Sequence, residues 1–246
     1  MHGFHIISNR RGWGLLARDT TERRELARTV LDIGEGYGLL FFCAPDTHLH
    51  SVVSCERRRA GRCARATEAA LTVRLGYEDG FAQATIRPIA NPGHRNNLRD
   101  YVLGQHDHHG VEADRLREAS NVLDLLGARL LGAHTRGPVR RLVPRTTRAA
   151  LLAHLDLEAL PEGFPPSRLP GAVRLASAGA YARTDLRRRL DASAVRVAAG
   201  EGLGPKAIAA LLDLSRTTVY RATRGSQDEE AEGALRRAAA LLHTLG

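Results

Sequence analysis

Apolar and polar positions along this chain follow two periods, and the changes between them mark out the elements. The segment FHIISNRR (residues 4–11) is short and rich in isoleucine, and it reads as a first strand. In TTERRELARTVLDIGEGYG the period lengthens. Leu26, Val30 and Ile33 fall at helical spacing, and Thr20 or Thr21 stands where a helix cap is expected. LLFFCAP and HLHSVVS are strand-like apolar runs, with Pro45 and Asp46 at the bend between them. A basic helix is predicted over residues 62–75, a strand over 81–89, and a further helix through GHRNNLRDYVLGQHDHHG, ending near Gly110. The order β-α-β-β-α-β-α predicts an α+β fold, a ferredoxin-like antiparallel sheet with helices packed on it.

After Glu112 the pattern changes. SNVLDLLGARLLGAHTRGPVRRLVPRTTRAALLAHLDLEAL is leucine-rich and helical, with a break expected at Gly137 and Pro138. PEGFPPSRLPGAV reads as a turn-rich linker. The expected organisation is a first domain over residues 1–112, a helical extension and linker over 113–180, and an all-α domain over 181–246. Within the last, GPKAIAALLDLSRTTVYRATRG has the layout of a helix-turn-helix. Ile208, Leu212, Leu214 and Val219 supply its apolar contacts, and Asp213 stands at the turn. Ser215 is a good cap for the second helix, which would present Arg216, Thr217, Thr218 and Arg221 to phosphates or base edges. This part resembles the DNA-binding modules of the DnaA and Trp-repressor type. A preceding helix over residues 184–199 would buttress it, and the closing segment reads as a packing or dimerising helix.

Charge narrows the partners. The chain has 246 residues, a net charge of +9 and 43% hydrophobic residues. All but one of its basic side chains are arginine, the exception being Lys206. Arginine's rigid donor fork suits phosphate, so a polyanion is the expected partner, with nucleic acid ahead of membrane. An arginine-rich genome-wide composition is the alternative reading. No apolar run is long enough for a membrane span, and the first residues lack a secretion signal. Cys43, Cys55 and Cys63 have no CxxC spacing, which argues for reduced thiols and a cytoplasmic protein.

The candidate chemistry begins in CAPDTHLHSVV. Strand positions i and i+2 share a face, so His48 and His50 project together while Leu49 enters the core. Two neutral imidazoles on one face are able to ligate one metal ion. Tyr101 and Gln105 lie four apart on a predicted helix and share a face of it. The tyrosine would be a nucleophile and the amide oxygen a hard third ligand. Packing of Tyr101 in the core, with Gln105 solvated, is the plain alternative. Gly104 within that helix would weaken it by up to about 1 kcal/mol. His106, Asp107, His108 and His109 are either further ligands or a polar helix end favoured by the helix dipole.

In order and separation these motifs resemble the HUH single-tyrosine transposases, in which a His-hydrophobe-His strand precedes a helix carrying Tyr-x-x-x-Gln or Tyr-x-x-x-Asn. They are most similar to the REP-associated tyrosine transposases, and the resemblance spans residues 4–131, including FHIISNRR, DYVLGQ and ASNVLDLLG. It implies metal-dependent cleavage and rejoining of single-stranded DNA, with hairpin or palindromic substrates. Tyr101 would form a covalent 5′-phosphotyrosine link, and His48, His50 and Gln105 would hold Mg²⁺ or Mn²⁺, with zinc left open. Arg57, Arg58, Arg59, Arg62 and Arg65, together with Arg10 and Arg11, would hold the DNA backbone. Trp13 and Tyr77 are among the few aromatic side chains placed to stack on bases. Duplex DNA would be met through the helix-turn-helix, and monomer and homodimer both stay open. The rival function is a DNA-binding regulator whose HUH domain no longer cuts.

Overall fold

The computed structural model describes residues 2–109, 114–179 and 184–246. It is an α+β structure in two compact units, Met1–Leu126 with Gly132–Glu158, and Gly127–Leu131 with Ala159–Gly246. The expected boundaries at 112/113 and 180/181 lie outside the described residues. No helix among the described residues is long and apolar enough to cross a membrane.

The first unit is built on a four-stranded antiparallel sheet. Its strands are β1 (Phe4–Asn9), β2 (Leu39–Cys43), β3 (His48–Val53) and β4 (Thr85–Pro88), in the spatial order β2-β3-β1-β4. Helices α1 (Thr20–Glu35) and α2 (Arg57–Leu75) follow β1 and β3 and pack on one face. That face carries Phe4, Ile6, Leu49 and Val53, all buried against Leu26, Val30, Ala60 and Leu71. Each fully buried Phe, Ile, Leu or Val side chain contributes about 1.5–3 kcal/mol through removal from water. The α1 cap is Asp19, which accepts from the Glu22 amide, and not Thr20 or Thr21. Helix α2 begins at Arg57, five residues before the expected start, and ends at Gly76 in the left-handed conformation.

The other sheet face lies under α3 (Pro92–Leu103) and the short α4 (Gln105–His108). Asn91 caps α3 by accepting from the His94 amide. The helix expected to run to Gly110 is broken at Gly104, and a Cβ there would stand 2.8 Å from the Asp100 carbonyl oxygen. Gly104 is thus a requirement of the turn between two helices, and the weakening expected of it inside one helix does not apply.

Strand β2 is an edge of the sheet, but its outer hydrogen-bonding side is covered. Ala44 N donates to Ala119 O and Asn121 N to Phe42 O, while Asn121 Oδ1 accepts from Phe42 N and its Nδ2 donates to Leu40 O. One fully buried amide thereby replaces a missing strand. Helices α5 (Val122–Leu125), α6 (Ala133–Leu142) and α7 (Arg148–Ala153) complete the unit. The break expected at Gly137 and Pro138 does not occur, and both lie inside α6. Gly132 N donates to the Asp124 carboxylate and Arg136 to the Asp124 carbonyl, so packing holds α6 against the loss of one backbone bond at proline.

The second unit is helical: α8 (Leu169–Ala176), α9 (Thr184–Gly200), α10 (Pro205–Leu212), α11 (Arg216–Arg224) and α12 (Glu229–Leu245). The second half of the expected linker is α8 itself, because Leu169, Ala172 and Val173 are buried. Pro170 lies in its first turn, where no amide proton is needed. Ile208 and Val219 join Val195 and Ala198 in one core, with Leu212 and Leu214 partly buried beside them. Asp213 adopts φ 53°, ψ 50° between α10 and α11, and Ser215 Oγ accepts from Thr218 N.

The covered edge makes a prediction. Asn121→Ala leaves two buried backbone groups of β2 unsatisfied and is expected to cost about 2 kcal/mol or more in equilibrium urea unfolding. A loss below about 0.5 kcal/mol would mean that the edge is held without the side-chain amide.

Candidate functional site

The pleat of β3 sends His48 and His50 to the face away from α1 and α2. Antiparallel pairing sets Ile7 opposite His50 and Asn9 opposite His48, and it brings His5 to the same face, diagonal to His50. The His48 and His50 rings lie 4.6 Å apart. His5 stacks on His50, and His5 Nε2 is 3.0 Å from His50 Nδ1. From α3, Tyr101 meets His50 edge-on at 5.5 Å and His5 at 5.9 Å between ring centroids. One turn later Gln105 Nε2 donates to Tyr101 O at 2.9 Å, and the Gln105 side chain stands beside His48. The phenol is half exposed, whereas Gln105 is buried. The sheet and the α3–α4 turn therefore gather His48, His50, Tyr101 and Gln105 at one place.

Three further residues join them. Asp46, from the β2–β3 turn, reaches His48 Nδ1 with Oδ1 at 3.0 Å and His109 Nδ1 with Oδ2 at 2.8 Å. The His48 and His109 rings are 4.9 Å apart. Sequence spacing could not reveal His5 or Asp46, since their nearness depends on strand pairing and on the turn. Of the alternative ligands whose side chains are described, His109 arrives and His106 and Asp107 do not. His106 turns inward, with Nδ1 3.0 Å from Cys43 Sγ and Nε2 3.0 Å from Asp114 Oδ2. Asp107 pairs with Arg117, and the His108 side chain lies outside the described residues.

Burial keeps the imidazoles neutral. It pushes the His50 pKa down to about 3, with repulsion from the neighbouring His48 and His5 rings, were they protonated, in the same direction. His5 falls to about 4 through burial, with Arg87 and His94 adding to the shift. His48 is lowered by burial too, against the pull of Asp46. Each neutral ring keeps one nitrogen lone pair. His50 Nε2 is buried and has no hydrogen-bond partner, an atom that a metal ion would satisfy. The donor set of two imidazoles and an amide oxygen fits a divalent cation, with His5 and Asp46 orienting the rings through Nδ1.

The predicted DNA contacts divide. Arg57, Arg58, Arg59, Arg62 and Arg65 are exposed on α2, which packs on the opposite face of the sheet from the imidazoles. Arg59 donates to Gly36 O, and Arg57 lies 6.0 Å from the Phe4 ring centroid. Arg11, Arg57 and Arg65 line a groove of about 430 Å³ together with Phe81 and Gln83. Arg10 is engaged inside the protein, with Nη1 on Leu15 O and its guanidinium 4.3 Å from the Tyr77 ring centroid. Tyr77 is buried and donates to Leu16 O, which removes it as a stacking platform, while Trp13 is 82% exposed. In the second unit Ser215, Arg216, Thr217, Thr218 and Arg221 are all exposed.

No family model matches the chain, and neither the curated proteins nor the solved structures contain a match to it.

The neutral imidazoles fix the sign of a pH effect. Below about pH 6.5 the unfolded chain takes up protons at His5 and His50 that the folded chain refuses. Stability therefore rises with pH through this window and falls as the solution is acidified. The metal-free protein is expected to lose about 1–2 kcal/mol per buried imidazole between about pH 7 and pH 5. Unfolding of wild type and His5→Asn in chelator measures this, and the variant should show the shallower slope. Equal slopes would mean that His5 titrates as it does in water.

Proposed function

We propose that the first unit cleaves and rejoins single-stranded DNA through Tyr101, in the manner of the HUH single-tyrosine transposases it resembles. The observation that carries this reading is the gathering of Tyr101, His48, His50 and Gln105 in one cluster, in which the buried His50 Nε2 has no hydrogen-bond partner. The strand order β2-β3-β1-β4, with α1 and α2 on one face, supports the ferredoxin-like arrangement that the resemblance implies.

His48, His50 and Gln105 would hold Mg²⁺ or Mn²⁺. When bound, such an ion polarises the scissile phosphate and offsets its charge. Gln105 is fixed by its hydrogen bond to Tyr101 O, so the ligand and the nucleophile keep a common helix-turn geometry. The Tyr101 oxygen attacks phosphorus, the P–O3′ bond breaks, and the strand leaves with a 3′-hydroxyl. The phenol proton passes to water at the half-exposed side chain. A second 3′-hydroxyl reverses the step, because the phosphodiester free energy is retained in the phosphotyrosine link. The exposed residues of α11 support a role for the second unit in contacting duplex DNA, with the first turn of α11 presented to the major groove.

The test is incubation of the full chain with a pool of hairpin-bearing single strands and Mn²⁺. A denaturant-resistant protein–DNA adduct is expected, lost in Tyr101→Phe and in chelator, and reduced at least about 100-fold in His50→Ala. An adduct that survives Tyr101→Phe would overturn the assignment. Tight DNA binding without an adduct under any divalent metal would favour a regulator that binds and does not cut.

A further inference from the structure

We infer that Asp46, His48 and His109 form a second metal site, suited to zinc, that shares His48 with the set above and excludes it. The mutual exclusion rests on the proposed function, whereas the zinc site itself does not.

The three donors come from three places: the β2–β3 turn, the first residue of β3 and the residue after α4. One donor atom from each lies within 4.8 Å of the others. Asp46 already stands between the rings, at 3.0 Å from one Nδ1 and 2.8 Å from the other. The supporting backbone is tied down. Leu16 N donates to Asp46 O, Arg10 N to Thr47 O and His109 N to Gln105 O. The Asp46 and His109 side chains are each 27% exposed, so an ion can reach them from solvent. Two imidazoles, one carboxylate and an open position are a zinc donor set. Zn²⁺ binds such a set more tightly than Mn²⁺, Mg²⁺ or Ca²⁺.

The exclusion follows from the chemistry of one ring. A neutral imidazole has a single lone pair, and its other nitrogen carries the proton. With a cation on Nε2 of His48, the Nδ1 proton is donated to Asp46. With zinc on Nδ1, the proton sits on Nε2, which then faces Gln105 as a donor and ligates nothing. Passage between the two states moves one proton from one nitrogen to the other through solvent, with no net release. Zinc at the outer site therefore withdraws His48 from the inner one, and the protein is inhibited by a metal it binds beside its working site.

The experiment is zinc titration of the metal-stripped full chain by calorimetry, with the ligand-field spectrum of Co²⁺ as a second readout. His109→Ala and Asp46→Asn are expected to weaken zinc binding at least about tenfold, and His50→Ala to leave it within about threefold. His109→Gln, read by Co²⁺ spectrum and circular dichroism, separates loss of a ligand from loss of fold. Zinc should also suppress adduct formation in Mn²⁺ in wild type and not in His109→Ala. The site is overturned if zinc binds equally well without His109, if His50→Ala weakens it as much, or if wild type binds no zinc. A wild type that forms no adduct removes the proposed function and leaves the calorimetric result standing. Adduct formation whose zinc sensitivity ignores His109 removes the outer site alone.

Discussion

The pairing register between β1 and β3 is the constraint on which this molecule depends. It sets His5, His48 and His50 on one face, and a slip of one residue would turn a whole strand's side chains to the opposite layer. The imidazoles do not hold that register. It is held from the other side, where Phe4, Ile6, Leu49 and Val53 are buried against α1 and α2. The apolar face therefore decides where the polar chemistry can stand. At the β2 edge, Asn121 ends one side of the sheet by bonding the Phe42 amide and the Leu40 carbonyl.

Burial gives the cluster its grading. His50 is deepest, neutral and unpartnered at Nε2, while His48 and His109 stand nearer solvent around a shared carboxylate. Each ring has one nitrogen oriented by a neighbour, and the identity of that neighbour differs. His50 is met by another neutral imidazole, His48 by a carboxylate. A carboxylate raises the basicity of the ring it orients, and a neutral ring does so less. Tyr101 crosses this gradient, with its ring against the buried histidines and half its surface in water. The histidines that support the ring lie at depth, and the phenol stands at the surface.

Arginine serves two purposes here. Arg24 pairs with Glu118, Arg99 with Asp100 and Arg117 with Asp107, and Arg129 is fully buried. Arg10 lies over Tyr77. These guanidiniums hold the structure together and are not offered to a polyanion. Exposed arginines stand on α2 and α11 and also elsewhere, among them Arg11, Arg140, Arg141 and Arg148, so net charge alone does not show which face a polyanion would meet.

Much of the architecture was legible in the residue pattern. The alternation in HLHSVV and the helical spacing of Leu26 and Val30 mark strand and helix because periods of 2 and 3.6 are local properties of the backbone. Asp213 and Ser215 announce their turn and cap for the same reason, since each acts within a few residues of itself. Tertiary packing decided the rest. It carried α6 through Pro138, made a helix of the second half of an apparent linker, turned His106 inward and drew His5, Asp46 and His109 to the paired histidines. A side chain's propensity is written beside it in the chain, but its neighbour across a sheet is chosen by burial summed over the whole fold.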